Sequence, residues 1–204
     1  MKNFFQFSKK IFNGISGSIF GLLSVLFSLT GILISFFSFP GFNILYFDVS
    51  YLAVGPMGII FNLSLIFSGI TAIPFNVYMN KIIKFEGINL KLRKFALVLS
   101  LISSIALSLI GLFPVLTDNI IVLLIHGILA LITFLGVTVY CILYGIFFIE
   151  NSKFTLAHVF LSFLVSGIFI FYFTNRWSIV EWIGVYSIMI WITFNAIFAL
   201  LKKY

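Results

Sequence analysis

The stretch IIVLLIHGILALITFLGVTVYCILYGIFFI, residues 120–149, runs for thirty residues without a charged side chain. A helix needs about 20 apolar residues to cross the ~30 Å hydrocarbon core of a bilayer. This segment is therefore long enough to span a membrane. Its extra length predicts a helix that is tilted or that extends beyond the bilayer.

Five further apolar runs of spanning length lie on either side of this segment. With it, the predicted spans are residues 15–39, 54–79, 95–114, 120–149, 154–174 and 179–201. The first run is too long for the apolar region of a signal peptide, so we expect it to be retained as a helix. The sequence thus predicts an all-α fold: one domain over residues 1–204, a bundle of six transmembrane helices.

The composition also indicates a membrane protein. Of 204 residues, 62% are hydrophobic and 8% are charged, with a net charge of +7. Soluble domains are about a quarter charged, so this chain could not cover a water-facing surface. Its basic residues lie in the loops rather than on one exposed face. We therefore expect membrane lipids as partners and no nucleic acid.

The basic residues alternate from loop to loop, which predicts an orientation. One set of loops and both termini hold Lys2, Lys9, Lys10, Lys81, Lys84, Lys91, Arg93, Lys94, Lys153, Lys202 and Lys203, and the other set holds Arg176. By the positive-inside rule, both termini are expected in the cytoplasm, with the chain in the cell membrane. Residues 81–94 either lie along the inner surface or form an ordinary basic loop.

Polar residues near one end of the predicted bundle form the candidate site. Asn62 lies about 12 Å along the second span and His126 about 9 Å along the fourth, both counted from the outer side. Asp48 and Asp118 lie in the outer loops. Polar side chains within a membrane usually face the bundle interior or a cavity. These four residues are our candidate ligand-binding cluster; the alternative is that they form hydrogen bonds that pack helices together.

Other chemistry has little support in the sequence. There is no nucleotide-binding loop and no paired-histidine zinc motif. His126 and His158 are predicted at opposite depths, which excludes a shared haem or metal. Cys141 is the single cysteine, so an intrachain disulfide is impossible. We expect no cofactor and no metal, and an enzyme is not the favoured interpretation.

Small residues recur at helical spacing. Gly17 and Gly21 form a small-xxx-small pair in the first span, and Gly127 and Gly136 lie in the fourth. Such residues let helices approach closely. They serve either packing within the chain or a homo-oligomer formed through these faces.

Two segments resemble a known family. They are FDVSYLAVGPMGIIFNLSLIFSGI, residues 47–70, and GLFP, residues 111–114, followed by HGILALITFLG, residues 126–136. The chain resembles the prokaryotic six-helix membrane proteins grouped as domain-of-unknown-function 998 and, more distantly, the Frag1/DRAM/Sfk1 group. This resemblance implies six helices and an outer polar cluster. The residues it singles out are Asp48, Gly55, Phe61, Asn62, Pro114 and His126.

The sequence is compatible with four functions. We favour a protein that binds a lipid or a small apolar molecule at the outer polar cluster. An ion-coupled transporter is less favoured because the middle of the spans is nearly all apolar, whereas such transporters carry ionisable groups there. A membrane-embedded lipid-modifying enzyme and a structural membrane subunit are the remaining alternatives.

Overall fold

A computed structural model describes residues 17–115 and 119–202 of the chain, and these residues form six α-helices and one short 3₁₀ helix. The α-helices are α1 Gly17–Phe37, α2 Gly58–Ile82, α3 Leu90–Leu112, α4 Ile120–Glu150, α5 Leu156–Asn175 and α6 Ser178–Leu201; the 3₁₀ helix is Val49–Val54. All six α-helices are long and apolar enough to cross a membrane. The predicted all-α, six-helix fold is confirmed, and the described ranges contain no β-strand.

The helices form a closed ring. Each packs mainly against its neighbours in sequence, and α1 packs against α6 to complete the circuit. Mostly short loops join them, so adjacent helices run antiparallel. The longest described loop, residues 38–57, carries the 3₁₀ helix, which rests on α1, α2 and α6. Because each helix packs sideways onto its neighbours, the ring leaves space along its axis.

Glycines bring α1 close to α2. A side chain at Gly17 would collide with Tyr78, and one at Gly21 would collide with Phe75. These small residues are therefore used for packing within the chain, one of the two interpretations that the sequence left open. Oligomerisation through other small-residue faces stays a prediction.

The start of α3 differs from the sequence prediction. The helix begins at Leu90, five residues earlier than expected, because the Asn89 side chain accepts hydrogen bonds from the N–H groups of Lys91 and Leu92 at 3.0 and 3.2 Å. Asparagine is among the residues that best cap a helix in this way. Residues 81–94 therefore comprise the end of α2, a short loop and the start of α3.

Aromatic side chains fill one end of the ring. Tyr144 and Trp191 are fully buried, with their ring centres 5.6 Å apart, and Tyr140 packs against both. The Trp191 Nε1–H donates a hydrogen bond to the Ser162 hydroxyl at 2.7 Å. This packing lies toward the loop that contains Lys84, which we name the Lys84 end. The opposite end, beneath the 3₁₀ helix, is the Asp48 end.

Candidate functional site

A cavity of about 540 Å³ occupies the centre of the ring. All six α-helices and the 3₁₀ helix contribute to its walls. On α4 the lining extends from Leu123 to Tyr140, about 26 Å along the helix axis. That is most of the ~30 Å hydrocarbon core. The volume lies within the range of about 300–1,000 Å³ that is usual for ligand pockets.

Each helix turns one face toward the cavity. On α2 this face has the spacing of a helical stripe and is mainly apolar: Phe61, Leu65, Ser68, Ala72, Phe75 and Asn76. Residues that face lipid and residues that face a neighbouring helix are also apolar. Hydrophobicity alone therefore could not distinguish the cavity stripe in the sequence.

The hydroxyl and amide groups deep in the cavity are largely paired with one another. Ser24 Oγ donates to the Ser68 carbonyl at 3.0 Å, and Ser28 Oγ donates to Ser68 Oγ at 2.7 Å. Asn76 Nδ2 donates to Ser104 Oγ at 2.9 Å. These bonds tie α1 to α2 and α2 to α3. Their donors and acceptors are thus used in helix packing, as is common within membranes.

His126 lines the cavity from α4 and is 7% exposed. Its Nδ1 lies 2.8 Å from the Phe113 carbonyl oxygen. A carbonyl oxygen can only accept, so Nδ1 carries the hydrogen, and Nε2 of the neutral ring is an acceptor. Nε2 has no hydrogen-bond partner among residues 17–115 and 119–202. The ring therefore anchors the end of α3 to α4, and within these residues its second nitrogen is an unpaired acceptor.

Glu181 lies at the Asp48 end of the cavity and is 4% exposed. The Tyr172 hydroxyl donates to its Oε2 at 2.7 Å. The backbone of Val49 and Ser50, at the start of the 3₁₀ helix, lies close enough to interact with this carboxylate. The Arg176 guanidinium lies 5.5 Å from the centre of the Tyr172 ring and interacts with its hydroxyl. Glu181 is thus a buried carboxylate with several partners.

Asp48 lines the same end of the cavity but is less engaged. It occupies the N-cap position of the 3₁₀ helix, yet its side chain makes no capping hydrogen bond. Its carboxylate lies close enough to Glu181 for the two charges to interact. The loop is held in place by Trp182, whose Nε1–H donates to the Phe47 carbonyl at 2.9 Å. Asp48 therefore adds to the cavity a carboxylate that has no hydrogen-bond partner among the described residues.

The structure brings together two of the four predicted site residues. Asp48 and His126 line one cavity, whereas Asn62 is not among its lining residues. The Asn62 backbone instead packs against Gly111 of α3, and its Oδ1 is buried without a partner in the described part of the chain. Asp118 lies outside the described residues.

Sequence reasoning missed Glu181. An acidic residue in the first turn of a helix is favoured by the helix dipole wherever it occurs, so its presence there did not indicate a site. Its partner Tyr172 lies on a different helix, and no local motif connects the two residues.

The cavity opens sideways near the Asp48 end. Gly127, Leu131 and Arg176 line the cavity and are also exposed at the protein surface. Phe134 shares a helical face with Gly127 and Leu131, and it stacks on Phe169 of α5 with ring centres 5.0 Å apart. That face of α4 is therefore directed toward α5. The opening lies between the start of α4 and the end of α5, and we name it the lateral opening.

The described residues hold no group of three His, Cys, Asp or Glu side chains that could bind a metal ion. His158 is committed to the start of α5, where its Nδ1 accepts the Thr155 N–H at 3.2 Å. It packs among phenylalanine rings that include Phe154 and Phe198. This histidine therefore has a structural role in helix capping and packing.

The ring of apolar helices around a polar-ended cavity defines a multi-pass integral membrane protein. The family described as a protein of unknown function (DUF998) matches residues 22–197, and the chain belongs to this family. No curated protein and no solved structure matches the chain.

Proposed function

We propose that this protein binds a lipid or another amphiphile in its central cavity, with the apolar part inside the ring and the polar part at the Asp48 end. The observation that carries the proposal is the cavity itself, which is about 540 Å³ and lined mainly by apolar side chains. Apolar cavities in proteins are poorly hydrated and accept apolar ligands. The lateral opening gives such a ligand a route from the membrane.

The distribution of charge supports binding over ion-coupled transport. The charged side chains of the described lining are Asp48, Arg176 and Glu181, and all three lie at one end. Coupled transporters place ionisable groups near the middle of the membrane. Here the middle of the cavity is lined by apolar residues such as Leu65, Val137 and Met189.

We also propose that the Asp48 end faces outward from the cell membrane and that both termini are cytoplasmic, because the basic loops lie at the Lys84 end. Cys141 is fully buried, so a maleimide should label only the cysteines that are introduced at exposed positions. An impermeant maleimide should label Tyr46→Cys in intact cells and Lys84→Cys only after permeabilisation. Labelling of both cysteines in intact cells would contradict this orientation.

A cavity-filling variant tests the binding proposal. Ala130 lines the cavity, whereas Ile128 on the same helix is 58% exposed and does not line it. Ala130→Trp should remove the lipid that co-purifies with the protein in detergent, and Ile128→Trp should retain it. Mass spectrometry of the purified proteins measures both. Equal amounts of lipid in the two variants, each at wild-type level, would refute the proposal.

A further inference from the structure

We propose that the amphiphile bound in this cavity carries a primary ammonium group in its head, which the Asp48 carboxylate binds, with His126 Nε2 as a further acceptor on the cavity wall. This inference rests on the proposed function, since it assumes that the cavity holds an amphiphile. It goes beyond that proposal by assigning the chemistry of the head group and the residues that select it.

Two charged groups at the Asp48 end already have partners within the protein. Glu181 receives a hydrogen bond from the Tyr172 hydroxyl and lies beside the backbone of Val49 and Ser50. The Arg176 guanidinium is placed against the ring and hydroxyl of the same Tyr172. Glu181 and Arg176 are therefore linked through one tyrosine and are both engaged within the protein.

Two acceptors on the cavity wall have no hydrogen-bond partner in the described part of the chain. The Asp48 carboxylate makes no capping bond, and His126 Nε2 has no partner within the described ranges. Asp48 presents its carboxylate from a half-buried position, and His126 presents an acceptor nitrogen from a buried one. A ligand that supplies N–H donors and a positive charge matches these two acceptors.

A primary ammonium group meets both requirements. It carries a positive charge and three N–H donors, so it can donate to a carboxylate and to an imidazole nitrogen. Hydrogen bonds between ionised groups are about twice as strong as neutral ones. A quaternary ammonium has the charge but no N–H. An anionic head without an amine places negative charge beside Asp48 and Glu181 and is repelled.

Competition among matched lipids tests this assignment. Wild-type protein is incubated with an equimolar mixture of phosphatidylethanolamine, phosphatidylcholine and phosphatidylglycerol of identical acyl chains, and retained lipid is quantified by mass spectrometry after gel filtration. Ala130→Trp gives the background of lipid bound outside the cavity. We expect phosphatidylethanolamine to be enriched about tenfold over phosphatidylcholine, which corresponds to ~1.4 kcal/mol.

The variants identify the residue responsible. Asp48→Asn should retain lipid but lose most of the preference for the amine. Glu86→Gln is the matched control, since it makes the same change from carboxylate to amide at an exposed position at the Lys84 end, and it should behave as wild type. Should Asp48→Asn fail to fold, wild-type protein and lipids with zero, one, two or three N-methyl groups give an independent test. Retention should fall as N–H groups are lost.

The possible results separate the two proposals. Lipid retained above the Ala130→Trp background without preference for the primary amine would overturn the head-group assignment and leave cavity binding intact. The amine preference surviving in a folded Asp48→Asn protein would also overturn it. Wild-type protein that retains no lipid above that background would overturn both proposals.

Discussion

His126 combines two roles at opposite sides of one ring. The ring lines the cavity, and its Nδ1–H donates a hydrogen bond to the Phe113 carbonyl at 2.8 Å. Its Nε2 has no hydrogen-bond partner among the described residues. The sequence predicted that this polar side chain would face the interior, because turning it toward lipid is costly. The sequence could not show that one of the two ring nitrogens of His126 is bonded to the loop after α3. That partner is a backbone carbonyl, which every residue carries.

Two substitutions should separate these roles. An amide nitrogen in His126→Asn can still donate to the Phe113 carbonyl, but the variant has no acceptor at the position of Nε2. It should melt near the wild-type temperature and show a weaker preference for primary-amine lipids. His126→Leu leaves the carbonyl unpaired, at a cost of about 1–3 kcal/mol, and should melt lower. Thermal unfolding together with the lipid competition measures both effects, and equal destabilisation of the two variants would contradict this division.

The other predicted site residues show how far sequence reasoning reached. Asp48 was predicted in an outer loop near His126, and both residues line one cavity. Asn62 follows directly after the cavity-lining Phe61, and one residue corresponds to about 100° of rotation around a helix. The depth of Asn62 along the helix, which the sequence predicted, was therefore not enough to show which side of the helix its side chain occupies. The angular position depends on which neighbour each helix packs against, and a single sequence does not reveal this.

Among the elements, α4 contributes most to the site. Its 31 residues span about 46 Å, more than the hydrocarbon core requires, in agreement with the length of the apolar run. One face lines the cavity, and an adjacent strip at Gly127 and Leu131 borders the lateral opening. Helix bounds followed from the apolar runs to within four residues, except at the start of α3, where the Asn89 cap starts the helix within a basic stretch.

The lateral opening can be tested with a matched pair of glycines. Neither Gly127 on α4 nor Gly167 on α5 has another group within 4 Å of the position that a side chain would occupy. Both should therefore accept a tryptophan without loss of fold. Gly127→Trp should slow lipid uptake severalfold by narrowing the opening, whereas Gly167→Trp, away from the cavity lining, should take up lipid as fast as wild type. Stopped-flow transfer of a fluorescent lipid measures these rates, and uptake at the wild-type rate in Gly127→Trp would exclude this route.

At the scale of the whole molecule, the ring with an open axis is the feature that sequence reasoning could not reach. Apolar side chains face lipid, neighbouring helices and the cavity alike, so six apolar runs are compatible with either a filled bundle or a ring. The contact of α1 with α6 closes the ring and joins helices far apart in the chain. No local pattern predicts such a contact. The function that we propose depends on this closure.

The most direct test is to find where a lipid tail lies. A phosphatidylethanolamine with a photoreactive diazirine at the end of one acyl chain is added to the purified protein, irradiated, and its adducts are mapped by peptide mass spectrometry. We predict adducts on deep cavity residues such as Ser104, Val137 and Ile192, and their loss in Ala130→Trp. Adducts confined to outward-facing residues such as Ile128, Leu135 and Ile190 would show a lipid around the ring rather than within it, and would contradict the account.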